Sequence, residues 1–141
     1  MREGKDLTIL ALGPAVYGSL EAAETLAGEG NDCAVINARF AKPLDLDLIL
    51  SQAAKTRNLL TVEENALHGG FGGAVMELLS AANLSGIKIK CLGLPDKFIE
   101  HGPQELFRSL FNLDSEGIVQ SIRTFFPELF HETHTRMREK S

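Results

Sequence analysis

Residues 7 to 12, L-T-I-L-A-L, form a run that carries no charge and is closed by Gly13 and Pro14. A strand with one solvated face alternates apolar and polar residues, whereas a strand covered on both faces is continuously apolar. The run therefore predicts a central strand. Behind the turn, apolar residues return at helical spacing, at Val16, Leu20, Ala23 and Ala27.

Three further short apolar runs alternate with helical patterns, which is typical of a parallel sheet with crossover helices. The runs are Cys33 to Ala38, Leu59 to Glu63, and I-K-I-K-C-L at residues 87–92, where lysine alternates with apolar residues as on an edge strand. We therefore predict an α/β fold of three layers, α/β/α, with a mostly parallel sheet in the strand order 2-1-3-4. The helical stripes are Leu46, Ile49, Leu50 and Ala53, then Phe71, Val75, Leu78, Leu79 and Ala82, and finally two within residues 104–111 and 115–126.

The composition is that of one globular domain, since 44% of the 141 residues are hydrophobic and 23% are charged. We assign the domain to residues 1–126 and a polar carboxyl-terminal tail to residues 127–141. The formal net charge of -5 argues against nucleic acid or an anionic membrane as a partner. No apolar run approaches the roughly 20 residues of a membrane span, so a cytoplasmic location is expected. Cys33 and Cys91 lie inside apolar runs, which predicts buried, reduced thiols.

The densest group of chemically versatile residues is E-E-N-A-L-H-G-G-F-G-G, residues 63–73, at the carboxyl end of the third strand. Open α/β sheets place their ligands at that end of their strands. Glu63 and Glu64 are adjacent on a strand and point to opposite faces, so at most one of them faces a site. The glycines do not fit G-x-G-x-x-G, and they favour a tight strand-to-helix turn over a phosphate site. His68 is a candidate acid, base or ligand, or a hydrogen-bonded loop residue.

A second candidate surface is L-P-D-K-F-I-E-H-G-P, residues 94–103, where charged residues surround two apolar ones. It predicts either a contact surface or a loop that packs on its own core. Two other patterns predict no site. The stretch from Gly13 to Ser19 lacks the lysine of a P-loop, and H-E-T-H at residues 131–134 is one residue short of the zinc motif.

Three stretches in this order resemble one family. They are I-N-A-R-F-A-K-P-L-D (36–45), V-E-E-N-A-L-H-G-G-F-G-G-A-V (62–75) and L-G-L-P-D-K-F-I-E-H-G (92–102). They are similar to the carboxyl-terminal domain of 1-deoxy-D-xylulose-5-phosphate synthases, thiamine diphosphate enzymes of the transketolase superfamily, and the likeness runs from Leu7 to Phe126. The equivalent domains of transketolases and of 2-oxo acid dehydrogenase beta subunits share parts of the pattern.

The resemblance implies a homodimeric enzyme that decarboxylates pyruvate on thiamine diphosphate and adds the two-carbon unit to glyceraldehyde 3-phosphate, in isoprenoid precursor biosynthesis. Such enzymes hold magnesium and the cofactor with a G-D-G motif, which this sequence lacks. We therefore expect the third domain of a longer protein, with no catalytic, cofactor-binding or metal-binding residue of its own and no activity alone. Its expected partners are the cofactor-bearing domains and a second subunit.

Under this interpretation, two stretches form the interface: Glu63, Glu64, Asn65, His68, Gly69, Gly70 and Phe71 in the first, and Asp96, Lys97, Phe98, Glu100 and His101 in the second. The alternative is a free-standing flavodoxin-like domain that binds a small anion at the Gly13 and Gly70 turns. A pocket would then lie between strands one and three, lined by Pro14, Ala15, Asn65, His68 and Gly70.

The second strand carries no charge that would deter pairing along its edge. The family's fold adds an antiparallel strand beside it, but only residues 1–5 precede the first strand here. We therefore expect either these residues or another copy of the chain to cover the backbone from Ala34 to Ala38.

Overall fold

A computed structural model describes residues 2–38, 46–66, 70–94 and 113–130. Within these ranges strands and helices alternate along the chain. The elements are β1 (Leu7–Ala11), α1 (Ala15–Ala27), β2 (Cys33–Asn37), α2 (Leu46–Thr56), β3 (Asn58–Ala66), α3 (Phe71–Ala81), β4 (Lys88–Leu94) and α4 (Ser115–Phe125).

The four strands form one parallel sheet in the order β2-β1-β3-β4, as predicted. In its register Leu7 lies opposite Cys33, and Thr8 lies opposite Leu59. The register between β3 and β4 shifts between Val62 and Ala66, which is a β-bulge or a similar irregularity. Such irregularities re-aim side chains, and this one lies at the carboxyl end of the sheet.

The sheet is covered on both faces, which confirms the three-layer architecture. Residues of α1 and α4 pack with Leu7, Ile9 and Ala11 on one face. Residues of α2 and α3 pack with Leu10 and Leu59 on the other. All five residues of β1 are buried, as the uncharged run predicts.

Both outer strands of the described sheet are protected. Lys88 and Lys90 on β4 place their ammonium groups 5.3 Å and 4.0 Å from the ring centroids of Phe126 and Phe125. On β2, Val35 forms an antiparallel bridge with Arg2, in which each residue's N–H donates to the other's carbonyl at 2.8 and 3.1 Å. The residues that precede β1 therefore cover this edge at Val35, one of the two outcomes expected from the sequence.

Several details differ from the sequence predictions. Ala27 and Ala82, which the sequence predicts to lie on buried helical stripes, are exposed. The face that α1 buries contains Ala22, Ala23 and Leu26, and α3 ends at Ala81. Leu46 is the first residue of α2 and is 48% exposed, because the buried stripe of that helix begins one turn later and continues to Thr56. Cys33 is fully buried as predicted, but Cys91 is only partly buried. Residues 127–130 are helical, and Leu129 and Phe130 pack against the core. The helix predicted at 104–111 lies outside the described residues, and the boundary at residue 126 stays a prediction.

Gly72 sets the distance between α3 and the sheet, and it supplies a test of this packing. A Cβ at that position would stand 2.8 Å from both Cys91 Sγ and Thr61 Oγ1, whereas a Cβ on the neighbouring Gly73 would meet nothing within 4 Å. We expect Gly72→Ala to lower the free energy of unfolding by about 1–3 kcal/mol through overpacking. Gly73→Ala should be neutral or stabilising by up to about 1 kcal/mol, since alanine is the better helix former. Urea denaturation of the two variants measures both effects, and equal stability would contradict the close approach.

Candidate functional site

The side chain of Glu63 joins the end of β3 to the start of α3. It is 0% exposed. Its Oε1 accepts a hydrogen bond from the N–H of Phe71 at 3.0 Å, and its Oε2 accepts one from the N–H of Gly72 at 2.7 Å. Gly70 occupies the N-cap position and has no side chain to fill that role. The carboxylate therefore satisfies amide groups that would otherwise lack a partner at the helix start.

This arrangement decides what the glycine-rich turn can do chemically. Helix N-termini attract anions because their amide groups point outward and the helix dipole is positive there. At α3 the Glu63 carboxylate already accepts hydrogen bonds from the N–H groups of Phe71 and Gly72. An external phosphate would have to displace Glu63, which argues against the alternative of an anion site at the Gly70 turn. Glu63, buried and bonded in this way, is also a poor candidate for proton transfer to a substrate.

The structure places the other candidate residues as follows. Phe71 is buried at the start of α3, and Glu64 is partly exposed at the end of β3. Asn65 belongs to β3, but its side chain is not described. His68 and Gly69, together with Asp96, Lys97, Phe98, Glu100 and His101, lie outside the described residues. Their role at an interface therefore stays a prediction.

The turn after β1 is the second candidate position. Gly13 has a φ of 64°, the left-handed conformation that glycine adopts readily. Pro14 is the N-cap of α1 and Ala15 is buried behind it. A cleft of about 550 Å³ opens beside this turn, between α1 and the start of α4. Its lining residues are Pro14, Tyr17, Gly18, Glu21, Leu113, Asp114 and Ser115.

Of the described residues that line this cleft, Pro14 alone also belongs to the pocket predicted between strands one and three. Because His68 and the side chain of Asn65 are not described, that pocket stays a prediction. Sequence reasoning missed Tyr17, which is 75% exposed. Tyr17 is not part of the predicted apolar stripe of α1, which comprises Val16, Leu20, Ala23 and Ala27. The sequence could therefore have predicted that this aromatic side chain is exposed. Among the described residues, no three of the types His, Cys, Asp or Glu come together as a metal site. No described helix has the length and apolar character needed to cross a membrane.

Residues 1–118 match the family described as "Transketolase, C-terminal domain". The chain belongs to the transketolase C-terminal domain family. Within that family it is 53% identical over 125 residues to 1-deoxy-D-xylulose-5-phosphate synthase 1 of Geobacter metallireducens, an alignment that covers 89% of this chain and 20% of that protein. It is 47% identical over 131 residues to 1-deoxy-D-xylulose-5-phosphate synthase of Pelotomaculum thermopropionicum, covering 93% of this chain and 21% of that protein.

Solved structures confirm the fold of the transketolase C-terminal domain family. One is described as "Split gene transketolase, inactive beta4 tetramer" and has a TM-score of 0.79 at 35% sequence identity. The match covers 88% of this chain and 40% of the transketolase chain. A mutant transketolase from Pichia stipitis has a TM-score of 0.58 at 17% identity over 89% of this chain and 17% of its own, and it shows the shared fold alone. The resemblance drawn from the three sequence motifs is therefore confirmed. The chain spans about a fifth of the length of the curated relatives it matches.

The Glu63 cap can be tested with a conservative substitution. Glu63→Gln keeps the size of the side chain but replaces one accepting oxygen with an NH₂ group, which cannot accept from an amide. Because hydrogen bonds to a charged group are the stronger ones, we expect a loss of about 1–3 kcal/mol in the free energy of unfolding. The matched control is Glu77→Gln, an exposed carboxylate on the same helix. It should change stability by less than about 0.5 kcal/mol. Equal effects of the two substitutions in denaturant titrations would contradict the capping role.

The two cysteines should differ in reactivity. Burial raises the pKa of the Cys33 thiol to about 12, with smaller contributions from the carboxylates of Asp6 and Asp32. The thiolate is the reactive form, so raising the pH from about 8 to 10 should not make Cys33 reactive in the folded chain. We expect iodoacetamide to label Cys91 first and Cys33 only after unfolding in guanidinium chloride, as read by peptide mass spectrometry. Rapid labelling of Cys33 in the folded chain would contradict its burial.

Proposed function

We propose that this chain is the carboxyl-terminal domain of a 1-deoxy-D-xylulose-5-phosphate synthase and that it contributes packing surfaces to that enzyme but no chemical step. The observation that carries this proposal is the use of Glu63. The best-placed carboxylate of the glycine-rich stretch binds the chain's own helix start instead of facing a substrate. The identity to synthases from two organisms, over nearly the whole chain, supports the choice of enzyme.

In this proposal the full enzyme converts pyruvate and glyceraldehyde 3-phosphate on thiamine diphosphate with Mg²⁺, in the cytoplasm, as a homodimer. The cofactor and the metal are held by domains outside this chain, because the G-D-G motif that the resemblance assigns to them is absent here. A solved chain that is 35% identical to this one is described as an inactive tetramer of a split-gene transketolase, which supports the expectation that this chain is inactive alone.

The surfaces proposed to pack against the rest of the enzyme lie at the carboxyl end of the sheet. One comprises Glu64 and Asn65 at the end of β3 with His68, Gly69 and Gly70 in the turn that follows, and the other comprises Asp96, Lys97, Phe98, Glu100 and His101, which follow β4 in the sequence. The carboxyl ends of neighbouring parallel strands meet at one edge of a sheet, so the two stretches leave the fold from the same side. Glu63 and Phe71 hold this side together from within, since both are buried.

A domain exchange tests the proposal. The matching carboxyl-terminal segment of the Geobacter metallireducens synthase is replaced by this chain, and formation of 1-deoxy-D-xylulose 5-phosphate is measured with pyruvate, glyceraldehyde 3-phosphate, thiamine diphosphate and Mg²⁺. We expect the chimera to assemble and to be active, because the two segments are 53% identical over 125 residues. The isolated chain should show no turnover and no saturable heat of binding with thiamine diphosphate and Mg²⁺.

Two controls make the outcome decisive. The synthase without its carboxyl-terminal segment should be inactive, and the unmodified synthase gives the reference rate. A chimera that is folded and of the native oligomeric size but inactive would overturn the assignment to this enzyme. Tight binding of thiamine diphosphate by the isolated chain would overturn the division of labour.

A further inference from the structure

A groove runs between the outer faces of α1 and α4. At one end, a Cβ on Gly18 of α1 would stand 3.5 Å from the backbone nitrogen of Ser115, the first residue of α4. At the other end, Arg123 of α4 donates to both carboxylate oxygens of Glu29, just behind α1, at 2.7 and 2.6 Å. The two helices therefore lie side by side and run in the same direction. The cleft of about 550 Å³ beside Pro14 and a second one of about 460 Å³ share Ser115, and together they form the α1–α4 groove.

The α1–α4 groove is acidic and carries an exposed aromatic ring. Among the described residues that line it, three carry a carboxylate, namely Glu21, Asp114 and Glu116, and none is a lysine, an arginine or a histidine. Asp114 accepts from the N–H of Gly117, whereas the side chains of Glu21 and Glu116 have no ion pair or hydrogen bond within the described ranges. Tyr17 is 75% exposed beside them. Such a groove suits a segment with several cations, because carboxylates pair with guanidinium and ammonium groups and an aromatic face attracts them.

The chain itself contains a segment of this kind. Residues 135–141, T-R-M-R-E-K-S, carry a cation at every second position, at Arg136, Arg138 and Lys140. We call these seven residues the basic segment. In an extended segment residues i, i+2 and i+4 lie on one face, so this alternation favours a face with all three cations. Three positive charges on one face match the three carboxylates of the groove in number.

The chain also enters the region before the basic segment next to the groove. Phe130, the last residue of the described range, packs against the core, and the Arg123 guanidinium lies 5.0 Å from its ring centroid. From Arg123 back to Ser115 the helix rises about 12 Å, since each residue adds about 1.5 Å. Six extended residues span up to about 20 Å, so Arg136 and the cations behind it are within reach of the carboxylates.

We propose that the basic segment docks in the α1–α4 groove of its own chain and covers Tyr17. Its three cations pair with the carboxylates of the groove, and one guanidinium group lies over the Tyr17 ring. Exposed ion pairs are weak one by one, but attachment to the same chain gives the segment an effective concentration in the millimolar range, which makes weak docking sufficient. Salt weakens the docking, because it screens exposed charges. This surface is separate from the two stretches that the proposed function uses.

Tyr17 supplies the readout, because it is the only tyrosine of the chain and the chain has no tryptophan. Its fluorescence therefore reports on the groove alone. The test compares the complete chain with the tail variant Arg136→Ser/Arg138→Ser/Lys140→Ser, using the neutral quencher acrylamide. In low salt we expect the Tyr17 quenching constant of the complete chain to be about half that of the tail variant, and in about 1 M NaCl we expect the two to be equal.

A second pair of variants tests the carboxylates. The groove variant Glu21→Gln/Glu116→Gln removes two exposed or partly exposed charges that line the groove, and its Tyr17 quenching constant should rise to that of the tail variant. The matched control Asp47→Asn/Glu77→Gln removes two exposed carboxylates from α2 and α3, on the opposite face of the sheet. It should be quenched like the unmodified chain.

Three outcomes would overturn the proposal. Equal quenching of the complete chain and the tail variant in low salt would mean that the basic segment does not cover Tyr17. Protection of Tyr17 that increases with protein concentration would assign the groove to the basic segment of a second copy and rule out docking within one chain. Protection that persists in the groove variant would mean that the carboxylates do not hold the segment. Protection that is independent of protein concentration and is lost in both variants is the expected result.

Discussion

The burial of β1 on both faces is the constraint on which the rest of this structure depends. All five of its residues are buried, and a strand of that kind needs helices on each side of the sheet. Right-handed crossovers then place β2 on one side of β1 and β3 on the other, with α1 and α4 on one face and α2 and α3 on the opposite face. The chain thus adds β2 on one side of β1 and β3 on the other side. The crevice at the carboxyl ends of β1 and β3 is where open sheets of this kind bind ligands.

At that end of the sheet the buried carboxylate of Glu63 holds the chain's own helix start. Glu63 accepts from the amides of Phe71 and Gly72, and Gly72 lets the helix approach Thr61 and Cys91 closely. The two features reinforce each other, since the carboxylate fixes the start of α3 and the missing Cβ fixes its height above the strands. The two buried features therefore position the start of α3 against the sheet.

The same close packing brings side chains of three elements together, namely Thr61 on β3, Cys91 on β4 and Met76 on α3. Cys33 and Cys91 are both free, yet only Cys91 combines partial exposure with a second sulfur at 3.7 Å. Cys33 is fully buried, and its raised pKa, about 12, keeps the thiol protonated. Two cysteines that look alike in the sequence thus differ in exposure and in neighbours, which the packing of other elements determines.

The sequence by itself determined the four strands, their order, the two buried faces of β1 and the family, because these follow from local periodicity, turn residues and three ordered motifs. It also indicated correctly that the glycines mark a strand-to-helix turn. Only the tertiary structure decided that Glu63 binds amides eight and nine residues further on, that Cys91 faces Met76 across two elements, and that Leu46 is exposed. Periodicity reports which face of its own element a residue occupies. Periodicity does not report which atom of another element contacts that residue, because the contact depends on the distance at which helix and sheet pack. In this chain Gly72 permits α3 to approach the sheet closely.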